Sequence, residues 1–218
     1  TQDQVITLSM LVWLIQLHKT VKIERLAAHF SLPIKYESRR RRIQRFVKLD
    51  RVSVSLIWFP IIQQIIEKKY QKGTRIYLVL DRTQWKDKNL FMVGIVLGKR
   101  AIPIYWQFLD KRGASNLAEQ KAILRPVLKL LRSYDIVVLG DREFCSVELA
   151  KWLNEQKNSY FCLRLKKSTY IEVEKETWTA LKNLGLEPGM SLYYQGVKIT
   201  KTKGFTGGNI AAKWKGKY

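Results

Sequence analysis

Two apolar runs, Leu90–Leu97 and Ala101–Leu109, are separated by little more than Gly98-Lys99. A link that short forces the runs to pair antiparallel, because a parallel crossover needs a dozen or more residues. Pro103 in the second run removes a ladder donor, which a sheet tolerates mainly at its edge. The third strand is therefore expected on the outside of the sheet. A further β-branched run, Ile76-Tyr-Leu-Val-Leu80, precedes this pair and completes a three-strand meander.

The chain then changes period. Asn116–Arg132 carries Leu117, Ile123, Leu124, Val127, Leu128 and Leu131 at helical spacing, with Pro126 as an irregularity. Ile136–Leu139 reads as a fourth strand, Val147–Gln156 as a helix and Tyr160–Leu165 as a fifth strand. The order β-β-β-α-β-α-β with right-handed crossovers places the chain in the α/β class. It resembles the ribonuclease H-like fold, a mixed five-stranded sheet in which strand one lies beside strand four.

Upstream, the sequence reads as helices. Val5–Leu17 is an apolar stretch of about 13 residues, short of the roughly 20 that a membrane span needs, and is expected to be a buried helix. Ile23, Leu26, Ala27 and Phe30 recur on one helical face, and Ser31-Leu32-Pro33 breaks that helix. The next, from about Pro33, turns Ile43, Phe46 and Val47 inward and Arg40, Arg41, Arg42, Arg45 and Lys48 outward. This is the pattern of a helix-turn-helix with a basic second helix, and equally of an ordinary helical hairpin with a solvated basic face. A third helix is expected over Leu56–Tyr70. After Lys167, strand-like pieces at Leu192–Tyr194, Val197–Thr202 and Ile210–Trp214 alternate with the turns Pro188-Gly189, Gln195-Gly196 and Thr206-Gly-Gly208, the start of a lysine-rich β insertion. The expected domains are thus 1–72, helical and DNA-binding; 73–168, the catalytic core; and 169–218, a partial β insertion.

Charge narrows the partners. Lys and Arg number 40 against 18 Asp and Glu, a net +22 on 218 residues of which 46% are hydrophobic. A chain this apolar folds, and a folded chain this basic favours a polyanion such as a nucleic acid over a membrane. Cys145 and Cys162 show neither metal-ligand spacing nor a disulfide framework, which suits a reducing cytoplasm. No charged n-region precedes Val5, so a signal peptide is not expected. The ending Trp214-Lys-Gly-Lys-Tyr218 carries no capping signal, and the chain reads as a fragment.

The chemistry is expected at two places where an apolar strand runs into Asp-Arg: Leu80-Asp81-Arg82-Thr83-Gln84-Trp85, and Gly140-Asp141-Arg142-Glu143-Phe144. A carboxylate at a strand's end sits at the sheet's rim, where ligands bind, and two of them on neighbouring strands stand roughly 5 Å apart. With Phe161-Cys-Leu-Arg164-Leu-Lys-Lys167, these segments resemble the transposases of bacterial insertion sequences of the IS-four group. The resemblance implies that Asp81 and Asp141 are the first two members of an Asp-Asp-Glu metal triad. It implies two Mg²⁺, replaceable by Mn²⁺, roughly 3.5–4 Å apart, assisting strand cleavage and strand transfer. The DNA substrates would be element ends and target, with a homodimer forming when the ends are synapsed. The family's third acid lies in a Tyr-x2-Arg-x3-Glu-x6-Lys helix that this sequence lacks, since Tyr36-Glu-Ser-Arg39 is followed by Ile43 where glutamate is required. The chain is accordingly expected to be an inactive or partial piece of such an enzyme, or a non-catalytic DNA-binding module derived from one.

Other residues are weighed around this pair. Arg82, Arg142, Arg164 and Lys166 are candidate DNA contacts, and Trp85 is a candidate for stacking on an unpaired base or for core packing. Glu119 lies on the helix from which ribonuclease H takes a metal carboxylate, but reads better as a solvated glutamate. Glu143 is expected to pair with a lysine. Trp13, Trp58, Trp106 and Trp152 read as core. His18 and His29 read as core or surface groups. A phosphatase of the haloacid dehalogenase kind would need Asp-x-Asp where Asp81-Arg-Thr83 stands.

Overall fold

The computed structural model describes residues 1–202 and 204–214. The ending Trp214–Tyr218, which reads as carrying no capping signal, lies beyond Trp214 outside the described residues. The chain divides into two compact units, 1–60 and 61–218.

In the second unit, β1 (Arg75–Trp85), β2 (Lys88–Leu97) and β3 (Arg100–Leu109) form the antiparallel meander. Gly98 makes the tight turn with a left-handed φ of 65°, which glycine adopts without steric cost. β4 (Asp135–Gly140) and β5 (Ser159–Leu163) add in parallel, giving the order β3-β2-β1-β4-β5. This is the ribonuclease H-like arrangement, with β3 at the edge as Pro103 requires. The β2–β3 register shifts beside Val93 and Gly94, opposite Pro103, so the proline sits at a bulge as well as an edge.

Helices α5 (Leu117–Leu130) and α6 (Val147–Asn154) pack against the sheet and each other. Along β1 the alternation sends Ile76, Leu78 and Leu80 into the core with Val93 and Ile95 of β2, Val138 of β4, and Ile123, Leu124 and Val127 of α5. Phe91 and Phe144 stack at 5.6 Å in the same interior. The close packing reaches Gly140, where an added Cβ would stand 2.9 Å from both Leu163 Cδ2 and Phe144 Cβ. Gly140→Ala is expected to destabilise by about 1–3 kcal/mol through overpacking, read as a lower urea midpoint.

The remaining strands, β6 (Tyr170–Glu174), β7 (Thr177–Ala180), β8 (Ser191–Ile199) and β9 (Phe205–Lys213), make a second sheet in the order β7-β6-β8-β9. β6 and β7 carry no apolar run long enough to announce them. Two expected turns fail here, the first being Gln195-Gly196, which lies inside β8 at the register shift between Tyr194 and Val197. Thr206-Gly-Gly208 is not a turn but lies inside β9, because a Cβ at Gly208 would stand 2.6 Å from Ile199 Cδ1 and only glycine permits that approach.

The first unit packs α1 (Gln2–His18), α2 (Ile23–Ala28) and α3 (Tyr36–Val47) around Leu11, Leu14, Leu26, Ala27, Phe30, Ile43 and Phe46. A π-helical turn, Val54–Trp58, leads into α4 (Phe59–Lys69) at the unit boundary. The expectation of a buried first helix is wrong. α1 buries only Thr7, Leu11 and Leu14, while Val5, Val12, Leu17 and Trp13, the last expected in the core, are about half exposed or more. A unit this small has interior room for one stripe of a 17-residue helix. Val47 also faces outward at 48% exposure, and α3 begins at Tyr36, not at Pro33. His18 and His29 stack with ring centroids 4.1 Å apart, so their ring planes lie one over the other and their nitrogens do not converge on a point. Among the described residues no helix is long and apolar enough to cross a membrane.

Candidate active site

Backbone pairing places the two aspartates. β1 and β4 run parallel with a constant offset, from Arg75 opposite Asp135 to Val79 opposite Leu139. The paired rungs end there, and the same offset carried two residues further would set Asp81 opposite Asp141. β4 stops at Gly140, so Asp141 stands at a strand's end as the sequence suggests. Asp81 does not, since β1 continues to Trp85, still paired to β2 through Trp85 opposite Lys88. The carboxylate lies just past the level at which β1 loses its parallel neighbour, and beyond it β1 is paired on one side only, to β2, which β3 accompanies as far as Asn89.

Both carboxylates are exposed and line one cavity of about 1300 Å³, which runs from Val79 and Leu139 to the second sheet at Leu192, Tyr193 and Phe205. The Oδ1 atom of Asp81 accepts the Arg82 main-chain N–H, and that of Asp141 accepts the Glu143 N–H, each at 2.8 Å. One oxygen of each thus stays available. Neither takes part in an ion pair among the described residues. Hard oxygen donors with a free lone pair suit Mg²⁺, which is commonly held by one or two carboxylates, with water and substrate phosphate completing its octahedron. Among the described residues no group of three or more His, Cys, Asp or Glu is placed to hold a metal ion.

Glu143 supplies no third ligand and does not pair with a lysine, as was expected. Its Oε1 accepts Arg82 Nε at 2.6 Å and the Ser115 N–H and hydroxyl at 3.2 Å each. Arg82 also donates through Nη1 to Asn89 Oδ1 at 2.7 Å, and Asn89 donates to the carbonyls of Lys111 and Gly113, both at 2.9 Å. The two charged side chains are 16% and 17% exposed. The hydrogen bond to Glu143 raises the Arg82 pKa above its ordinary value against the effect of burial, and Asp141 and Asp81 add to the rise. Burial pushes Glu143 up, but Arg82 and Ser115 outweigh it and hold the carboxyl below the ordinary 4.5. Because the folded state holds this proton less tightly than the unfolded chain, the stabilisation is complete above about 4.3 and is lost as pH falls through the lower folded value. The urea midpoint is expected to drop across that acid window, and to drop less steeply in Glu143→Gln.

Glu119 is likewise committed. With Asn116 it forms a capping box at the start of α5, and its Oε2 lies 2.7 Å from Lys111 Nζ. The Asn-x-x-Glu spacing before an apolar run is a readable signature of that role. Of the candidate DNA contacts, Arg164 lines the same cavity as the aspartates, and its N–H donates to the Gly140 carbonyl at 2.9 Å. Arg142 and Lys166 are exposed. Trp85 is 59% exposed on the hairpin, with Lys86 Nζ 5.4 Å from its ring centroid, and lies about 13 Å along the strand from Asp81. Trp152 is buried, whereas Trp58 and Trp106 are half-buried.

The basic residues of α3 divide into two sets within the first unit. Arg40 pairs with Glu24 at 3.4 Å and Glu37 at 3.6 Å, and Arg42 pairs with Asp3 and donates to Thr7 Oγ1 at 3.1 Å. Arg41, Arg45 and Lys48 are exposed and, with Ser38 and Gln44, line one shallow hollow.

Against known proteins, residues 106–213 match the family model of the transposase DDE domain. Asp141 falls inside the matched residues and Asp81 outside them. No curated protein matches the chain significantly. Among solved structures, a cryo-EM structure of a piggyBac transposase synaptic complex with hairpin DNA is similar with a TM-score of 0.41 and 14% identity, over 97% of this chain and 51% of that one. The chain thus spans about half the length of that protein.

Proposed function

We propose that this chain, whose residues 106–213 match the family model of the transposase DDE domain, is part of a DNA transposase that cuts and transfers the strands of an insertion sequence, with Asp81 and Asp141 as two of its metal-binding carboxylates. The observation that carries this reading is that these two acids, distant in sequence, line one cavity just past the end of the β1–β4 ladder. A divalent ion bound there, Mg²⁺ or Mn²⁺, would supply charge to phosphate oxygens and a more acidic water. The free oxygens of Asp81 and Asp141 would hold it, and Arg164 on the same cavity wall would hold a phosphate of the cleaved strand. Arg142 and Lys166 would extend that grip along the backbone. Trp85 offers an exposed ring for an unpaired base at the cut end.

The exposed set on α3 would supply the duplex contacts, with Arg41, Arg45 and Lys48 facing phosphates and base edges. Arg40 and Arg42, already neutralised by acids of the same unit, would hold the helices together instead. Two chains synapsed on two element ends would complete the assembly, in a reducing cytoplasm.

A second reading is favoured by one observation, the lack of a three-carboxylate cluster among the described residues. On that reading the chain is a DNA-binding module without catalysis. Nicking of supercoiled DNA separates the two. Conversion to open circles in Mg²⁺ or Mn²⁺, and not in excess chelator, is the expected result once the chain is extended in frame to carry the third acid. Binding without nicking in either metal would favour the module.

A further inference from the structure

The β1–β4 ladder ends at Val79 and Leu139, two residues short of the aspartates. Past that rung β1 follows β2, and the chain after β4 turns toward α6, so no backbone bond fixes Asp81 against Asp141. The next connection between the two segments is the side-chain pair Arg82–Glu143. Its arrangement is reciprocal: the Arg82 N–H holds Asp81, the Glu143 N–H holds Asp141, and the two side chains hold each other at 2.6 Å. Both ends are anchored to further elements, Arg82 through Asn89 to the carbonyls of Lys111 and Gly113, and Glu143 through Ser115. Gln120 of α5 in turn donates to the Ser115 carbonyl and hydroxyl, at 3.3 and 3.2 Å.

We propose that Arg82 and Glu143 are positioning residues, a clamp that fixes the spacing and orientation of the Asp81 and Asp141 carboxylates where the sheet no longer does. This rests on the metal-site reading above and adds to it the part that orients the ligands. Stability alone is a poor reason for the pair, since a shielded ion pair is often no better than apolar side chains of the same volume. Orientation is a better one, because groups that hold metal ligands in place commonly tune affinity as strongly as the ligands' own surroundings do. The clamp also takes Arg82 out of the set of phosphate contacts, as its guanidinium is already engaged.

The test compares the parent chain with Arg82→Met/Glu143→Leu, which removes the pair without stranding a charge, and with Arg82→Lys, which keeps the charge. Amide exchange and Mn²⁺ titration followed by electron paramagnetic resonance are read on each. In the double variant the Arg82 and Glu143 amides are expected to exchange at least roughly tenfold faster while β1–β4 ladder amides keep their protection, and Mn²⁺ affinity to fall about 10–100-fold. Arg82→Lys, which keeps the charge but cannot reach Glu143 and Asn89 through one planar fork, is expected to recover Mn²⁺ affinity only in part, to within about tenfold of the parent. Unchanged protection at both amides, or parental Mn²⁺ affinity in the double variant, overturns the clamp. Failure of the parent itself to bind Mn²⁺ overturns the metal-site reading, and with it the purpose assigned to the clamp.

Discussion

Asp81→Asn or Asp141→Asn, made singly in the chain extended in frame to carry its third acid, is expected to lower Mg²⁺-dependent nicking at least roughly a thousandfold, about 4 kcal/mol of transition-state stabilisation, and to leave DNA binding in chelator within about twofold. The asymmetry follows from the geometry. Asparagine retains an Oδ1 acceptor for the N–H that holds the native carboxylate, from Arg82 in one case and Glu143 in the other, so the local turn survives. What disappears is one unit of negative charge and one anionic oxygen on the cavity wall, which a hard cation needs and a phosphate backbone does not. Neither position lies in a shielded ion pair, so both variants should melt close to the parent. Normal nicking in either variant removes that residue from the site. Loss of nicking together with loss of chelator-insensitive DNA binding would point to misfolding instead, which far-UV circular dichroism separates.

The outline of the fold was readable because it follows from local rules. Gly98-Lys99 dictates a hairpin, Pro103 dictates an edge, and the change from alternating to helical spacing after Leu109 dictates the crossovers. Each aspartate stood out for the same reason, as an acid after an apolar run, and the structure adds that both line one cavity. The length of β1 past Asp81 was not, because Arg82, Thr83 and Gln84 have no strand pattern of their own and are held extended by Phe91, Leu90 and Asn89 of β2. Glu143 was misassigned because its partner lies 61 residues away and burial, which no local pattern reveals, decides which cation it meets. The exposure of Trp13 was missed because an apolar stretch shows that a helix has a face to bury, and not how much interior the rest of the unit offers. Glu119 marks an opposite case: its capping-box spacing was present in the sequence, and explains the residue without any metal.

Removing the exposed cations of α3 should show where the duplex is read. Arg41→Ala/Arg45→Ala/Lys48→Ala is expected to weaken binding to duplex DNA by roughly two to three orders of magnitude near physiological salt. It should also flatten the dependence of log affinity on log salt by about 2.7, if each cation releases about 0.9 of a counterion on meeting its phosphate. The contrasting variant is Arg40→Ala/Arg42→Ala, which removes the same kind of charge from the same helix. Those two guanidiniums already face Glu24, Glu37 and Asp3, so the loss should appear as a lower melting temperature of the helical unit, with little change in the salt slope. A uniform effect of all five positions would mean that the net charge of +22, and not a helix face, governs binding. Unaltered affinity in the triple variant would move the duplex contacts off α3 altogether. A graded result, large for the free set and small for the paired set, would tie DNA recognition to the side chains that the unit's own acids leave uncommitted.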